Sequence, residues 1–151
     1  MRAKRRAALI LLAAGILVGC AGEDGRSGVP DPDLGGMEPQ VAALLREARQ
    51  AVLSAPDSAD AWGGLASAYD AHSLFDLAEI GYRRAVELAP RDFRWTYLRA
   101  IVREINGAEK EEVVALFGRA AELRPDYAPI YVRLGDALSR RGVNREARVA
   151  L

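Results

Sequence analysis

The sequence predicts an all-α fold built from stacked pairs of antiparallel helices. Prolines at 56, 90 and 125 recur at intervals of 34 and 35 residues, each preceded five positions earlier by alanine, at 51, 85 and 120. Self-similarity at a fixed period of this length marks a repeat architecture, each unit one supersecondary element. Between the prolines, apolar residues fall at the spacing of one helix face, as in Val41, Leu44, Leu45, Ala48 and Val52. Each proline closes a unit, because it lacks an amide donor and disfavours the helical region for the residue before it.

The first full unit carries Trp62, Leu65, Ala66, Tyr69, Ala78, Tyr82, Ala85 and Pro90. Later in the chain Tyr131, Leu134, Gly135, Leu138, Gly142 and Ala147 repeat much of that spacing. Small residues at 66, 78, 135 and 147 let helix backbones approach closely, while Trp62, Tyr69 and Tyr82 fill the space around them. These residues at these intervals resemble the tetratricopeptide repeat. The resemblance implies a right-handed superhelix of antiparallel helix pairs, an α-solenoid, over residues 40–151. Its units would be about 59–92, 93–127 and an incomplete 128–151, with helices near 40–54, 59–72, 75–88, 93–106, 109–123, 127–141 and 144–151.

The middle unit matches least well. Phe117, Ala120 and Pro125 fit, but strict register puts Thr96 and Arg99 where an aromatic residue and a leucine belong. One extra residue is expected in the turn 106–109, where Gly107 permits a left-handed backbone. The face of the helix before that turn is expected to be Trp95, Leu98, Ile101, Val102 and Ile105. Ahead of the first unit, residues 40–54 read as half a repeat or a capping helix. At the other end the last helix is incomplete, and an open repeat end exposes its core unless something covers it.

The first 39 residues are of another kind. Arg2, Lys4, Arg5 and Arg6 precede an apolar run at 7–18, which is followed by Gly19 and Cys20. The run is too short for a spanning helix, which needs roughly 20 apolar residues, and reads as the core of an export signal. Leu17-Val18-Gly19-Cys20 resembles the lipobox of bacterial lipoproteins. That resemblance implies a signal peptide over 1–19, diacylglyceryl transfer to the Cys20 thiol, and cleavage before it, for which the small Gly19 leaves room. Two or three acyl chains would anchor the chain stably, since each buried methylene contributes about 0.8 kcal/mol. Ala21 stands where an inner-membrane retention signal would carry aspartate, which implies the outer membrane, facing the periplasm. A twin-arginine signal at Arg5 and Arg6 is weaker, with no polar residue before the pair and no Phe-Leu after it. Residues 20–39 hold five glycines and three prolines and are expected to form a flexible linker.

Composition narrows the chemistry. The 151 residues carry no formal net charge, but beyond the signal peptide 17 basic groups face 21 acidic ones. That excess of acid argues against nucleic-acid binding, which needs a basic stripe. One cysteine and one histidine make neither an internal disulfide nor a zinc site. Glu79 and Arg83, four apart, read as an exposed ion pair, and residues 109–112 favour a helix start. His72 lies beside a turn and reads as a packing histidine, while Trp62 and Trp95 read as core. No catalytic group, cofactor or metal is expected, and the chain reads as a non-enzyme.

Tetratricopeptide repeats bind extended peptides or partner helices in the groove lined by the first helix of each pair. Carried over by position, the groove residues would be Asp60, Ser67 and Asp70, then Arg94, Tyr97 and Glu104, then Val132, Asp136 and Arg140. The lysines and asparagines that clamp a peptide carboxylate in chaperone-tail binders are missing, and the acidic first unit suggests a ligand with some basic character. The function expected is a membrane-anchored interaction scaffold with a protein or peptide partner. The alternatives are the anchor and repeat segment of a longer enzyme or receptor, and a small-molecule binder with His72 at a pocket.

Overall fold

The computed structural model describes residues 28–149, with side chains as far as residue 139. The described chain is all-helical, in the order α1 Pro39–Ser54, α2 Ala59–Ala71, α3 Phe75–Leu88, α4 Phe93–Ile105, α5 Lys110–Leu123 and α6 Ala128–Val149. Each helix packs chiefly on the ones before and after it, which makes the molecule a helical solenoid. The expected signal peptide and lipobox, with Cys20, lie outside the described residues.

Local chemistry sets the helix ends. Ser58 caps α2 by accepting from the Ala61 amide at 3.2 Å, and Asp92 caps α4 by accepting from the Arg94 amide at 3.0 Å. Glu111 and Glu112 stand in the first turn of α5, where carboxylates complement the helix dipole. The prolines at 56, 90 and 125 each follow the end of a helix by two residues, after Ser54, Leu88 and Leu123.

The two turns inside the helix pairs share one form. At the end of α2 the Ser73 amide donates to the Asp70 carbonyl (3.0 Å) and the Leu74 amide to that of Tyr69 (2.9 Å). At the end of α4, Gly107 donates to Glu104 (3.2 Å) and Ala108 to Arg103 (2.9 Å). Both are Schellman closures, which need a left-handed residue just past the cap. Gly107 supplies it at φ 73°, and Ser73 adopts it at φ 60° despite its side chain. The extra residue of the middle unit lies in this second turn: Val113, Phe117 and Ala120 are buried 35 positions after Ala78, Tyr82 and Ala85.

α4 itself keeps the 34-residue register. Thr96 and Ala100 are buried, as are Trp62 and Ala66 before them. The face expected for α4 is therefore corrected: Trp95 and Val102 are buried, Leu98 and Ile101 are half-buried, but Ile105 is exposed. Helix contacts need small residues at the crossing, so the buried face follows the repeat rather than the most apolar row. At the α2–α3 crossing, a Cβ on Gly81 would lie 2.8 Å from the Ala66 Cβ and 3.1 Å from the Trp62 carbonyl oxygen.

Two expectations at the ends of the chain are overturned. The linker expected over residues 20–39 is docked in its described part. Val29 is buried, Leu34 and Met37 pack on the core, and the Pro30 carbonyl accepts from Arg49 Nε and the Tyr69 hydroxyl, both at 3.1 Å. Asp31 adds an ion pair to Arg49 at 3.1 Å. Glycine and proline exclude regular structure from this strap, but its apolar residues still find a core face. Secondly, the helices expected at 127–141 and 144–151 are one continuous α6 through residue 142. A lone glycine in a helix interior costs only about 1 kcal/mol, and no proline stands between residues 139 and 149 to break the helix.

The left-handed turn residues give a direct test. Replacing Ser73 with glycine removes a penalty of roughly 1 kcal/mol, so Ser73→Gly should raise the unfolding midpoint in thermal or urea denaturation. Gly107→Ala should lower it by a similar amount.

Candidate peptide-binding face

α2, α4 and α6 are the first helices of their pairs, and the groove positions lie along them. Asp60 and Arg94 meet at their N-terminal end: Arg94 Nη2 donates to Asp60 Oδ1 at 2.9 Å and to Asp92 Oδ2 at 2.6 Å, and the guanidinium stacks over the Trp95 ring at 4.5 Å. The hydrogen bonds from Arg94 hold the Asp92 carboxyl below its usual range and raise Arg94 above its own. Arg94 is thus shared between two carboxylates, and the Asp60–Arg94–Asp92 group keeps one net negative charge.

Ser67 and Asp70 turn toward α3. The Tyr82 hydroxyl donates to Asp70 Oδ2 at 3.2 Å and lies 3.2 Å from Ser67 Oγ, whose own proton goes to the Gly63 carbonyl at 2.8 Å. Burial pushes the Tyr82 phenol up to about 12. Both side chains are half-buried and engaged within the pair, so the structure makes them internal polar contacts first.

Tyr97 belongs to an aromatic cluster that was not apparent as a unit from spacing alone. Its ring lies 5.5 Å from Tyr127 in an edge-on arrangement and 6.0 Å from Phe117, and Tyr127 in turn lies 5.5 Å from Phe93. Arg124 stacks over Phe93 at 4.6 Å and over Tyr127 at 5.6 Å. Aromatic pairs in such geometry add about 0.5–1.5 kcal/mol beyond the area they bury. The signal in the sequence is Phe93 and Tyr97, four apart on one helix face. Val132, 35 residues after Tyr97, is exposed, and so is Asp136 one turn on. Glu104 is paired with Arg133 at 3.5 Å. The Arg140 side chain lies outside the described residues.

A second feature distinguishes α4. Trp62 Nε1 donates to the Pro56 carbonyl at 2.8 Å, and the Tyr131 hydroxyl donates to that of Pro125 at 3.0 Å. The middle unit has Thr96 at this position, too short to reach Pro90, and its hydroxyl is buried without a partner. The aromatic residue has moved to Trp95, whose indole N–H is also buried and unpartnered. Its ring occupies the space that a Cβ on Gly63 would need, 2.4 Å from two ring carbons. Gly63 is the groove position equivalent to Tyr97 and Val132, so Trp95 fills the groove over α2.

Arg99 and Arg103 stand 34 residues after Leu65 and Tyr69, core positions of the first unit. Arg99 Nε donates to Glu79 at 3.2 Å, and Arg103 makes a two-pronged pair with Glu112 at 2.8 and 2.6 Å. The exposed Glu79–Arg83 pair expected from spacing is thus corrected: Arg83 is 3.9 Å away, and the shielded Arg99 is the nearer partner. Hydrogen bonds from Arg103 hold the Glu112 carboxyl below its usual range. His72 is the cap residue at the end of α2, half-buried. Among the described residues no three His, Cys, Asp or Glu side chains converge as a metal site would require.

No family model and no curated protein matches the chain. Among solved structures, a crystal structure of MamA, a tetratricopeptide-repeat protein, matches with a TM-score of 0.63 at 20% identity, covering 71% of this chain and 58% of its own. The chain is a tetratricopeptide-like helical repeat protein. A second MamA structure matches with a TM-score of 0.54 at 19% identity, over 76% of this chain and 75% of its own. A mutant O-GlcNAc transferase from Thermobaculum terrenum matches with a TM-score of 0.53 at 28% identity, over 65% of this chain and 22% of the transferase. The backbone likeness thus supports the helical-repeat fold.

The site geometry yields two checks. Thr96→Val keeps the shape and removes the unpartnered hydroxyl, and should stabilise the protein by about 1 kcal/mol, whereas Gly63→Ala should cost about 1–3 kcal/mol by overpacking against Trp95. Both are read in urea denaturation. Glu112 titrates below its unfolded value, so its pairing with Arg103 stabilises the fold above that value and is lost as pH falls through the folded one. Between about pH 5 and pH 3, Glu112→Gln should therefore show a shallower loss of stability than the parent chain.

Proposed function

We infer that this chain is a protein-interaction scaffold held to the cell envelope through a lipid on Cys20, with its array facing the periplasm from the outer membrane. The scaffold takes an extended peptide along the face of α2, α4 and α6. The observation that carries the binding face is the half-buried Phe93–Tyr97–Tyr127 cluster, with Val132, the repeat equivalent of Tyr97, and Asp136 exposed on α6. A peptide with an apolar side chain against Tyr97 and Val132 and a basic one toward Asp136 suits it. At the other end of the face the Asp60–Arg94–Asp92 group keeps one net negative charge, which also suits a basic side chain. The support for the anchor is the run of residues 2–20 in the sequence, and the support for a scaffold without catalysis of its own is the likeness of the fold to MamA.

Two experiments test the halves separately. A photo-crosslinking residue at position 132 should yield partner adducts in the native envelope that a control at exposed Glu122 on α5 does not, and Tyr97→Ala should reduce them at least several-fold. Equal labelling at both positions would remove the binding face from the reading. Metabolic labelling with a tagged fatty acid should mark the parent chain and not Cys20→Ser; label that survives the substitution refutes the anchor.

A further inference from the structure

The strap at residues 29–37 is held at its two ends and loose between them. At the first end Val29 is buried in the core cluster around Trp62 and Tyr82. The Pro30 carbonyl there accepts from Arg49 Nε on α1 and from the Tyr69 hydroxyl on α2, each at 3.1 Å. Arg49 Nη2 also holds the Asp31 carboxylate at 3.1 Å. At the second end Leu34 and Met37 lie against the same core, on either side of an exposed turn at Gly35 and Gly36. Between the ends, Pro32 and Asp33 stand across from Arg46 and Gln50 of α1, and the four help to line a cavity of about 600 Å³. The middle of the strap is therefore not packed on α1.

The contacts at the first end have the form of peptide recognition. Proline carries no amide proton, so residue 30 brings only an acceptor to a place where both groups that meet it are donors. A residue with an N–H would bring a further polar group that two donors cannot satisfy. Prolines at 30 and 32 fix φ and keep the segment extended, which lowers the entropy lost when it docks. Val29 fills an apolar notch, and Asp31 meets the cation beside it. We propose that this notch, bounded by Arg49 and Tyr69, is a docking site for extended segments that carry a small apolar residue, a proline and an aspartate in sequence. Residues 28–34 are its internal ligand, and a like segment of a partner protein displaces them by swinging the strap out about Gly35 and Gly36. Glycine lets the backbone turn there at little steric cost, and α1, which starts at Pro39, stays intact. The exchange is like for like: the incoming carbonyl takes the place of that of Pro30, so the Tyr69 hydroxyl is not left buried without an acceptor. The site is separate from the face around Tyr97 and does not depend on it.

The probe is a synthetic peptide of residues 28–34, Gly-Val-Pro-Asp-Pro-Asp-Leu, and the protein is the full chain purified in detergent. As the peptide is added in large excess, the Val29 methyl resonances of the parent chain should move to their positions in the free peptide, while those of the α2–α3 core stay in place. Val29→Asp undocks the strap in advance. An occupied site weakens apparent binding by the fraction of molecules in which it is open, so this variant should bind the fluorescently labelled peptide about ten-fold more tightly than the parent, with helical circular dichroism unchanged. Adding Tyr69→Phe, which keeps the ring and removes the donor, should abolish most of that gain, and so should a peptide with alanine in place of Pro30. Val29 resonances that do not move would overturn the proposal, and this titration needs no variant to fold. Equal binding by the parent and Val29→Asp, or binding indifferent to the Tyr69 hydroxyl and to the proline, would overturn it as well.

Discussion

The hydrogen bond from the first aromatic residue of a helix pair to the proline carbonyl six residues before it decides how each unit follows the last. Proline ends a helix and leaves a carbonyl without an intrahelical donor, and a buried indole or phenol needs an acceptor. Trp62 meets both needs with one contact, and the exposed Tyr131 repeats the bond to its own proline carbonyl. Thr96 cannot, and much of the irregularity of the middle unit centres on that position. The bulk that Trp62 supplies in its own unit comes here from Trp95, one position early, and the ring fits only because Gly63 has no side chain. Stacking of the second unit on the first rests on that accommodation.

The same unit divides the core. Buried residues of α1, α2 and α3, with Trp95 and Val102, form one cluster; Ala100, Val113, Phe117 and Ala137 form a second. Near their boundary, Arg99 and Arg103 stand where the first unit has Leu65 and Tyr69, held by Glu79 and Glu112. A partly exposed ion pair contributes little net stability compared with an apolar pair in full contact. The larger apolar cluster thus surrounds Trp62 and Tyr82, and Arg99 and Arg103 put charge where that unit has apolar contact.

What the sequence disclosed follows from where the information is local. Periodic prolines, small residues at crossings and the left-handed Gly107 are properties of a few neighbouring residues, and they yielded the helix order and the position of the extra residue. The docking of residues 29–37 depends on a carbonyl meeting Arg49 and Tyr69 across the fold, and glycine and proline content says nothing of that. The continuity of α6 through Gly142 is likewise a matter of packing, since a turn there gains its stability from a helix that folds back. Of the candidate face, the sequence could place Tyr97 and Val132 at equivalent positions of α4 and α6, but the engagement of Ser67 and Asp70 by Tyr82 depends on the three-dimensional path of that phenol.

With the lipid attachment proposed above, the strap would also set a mooring length. With Cys20 as the point of attachment, the first docked residue is Val29, only nine residues on. At no more than about 3.5 Å per residue, that leash spans at most about 30 Å, however the intervening residues are arranged; released as far as Pro39, it would span about twice as much. On the proposed attachment, the bonds of Pro30 to Arg49 and Tyr69 would limit how far from the bilayer the array can search.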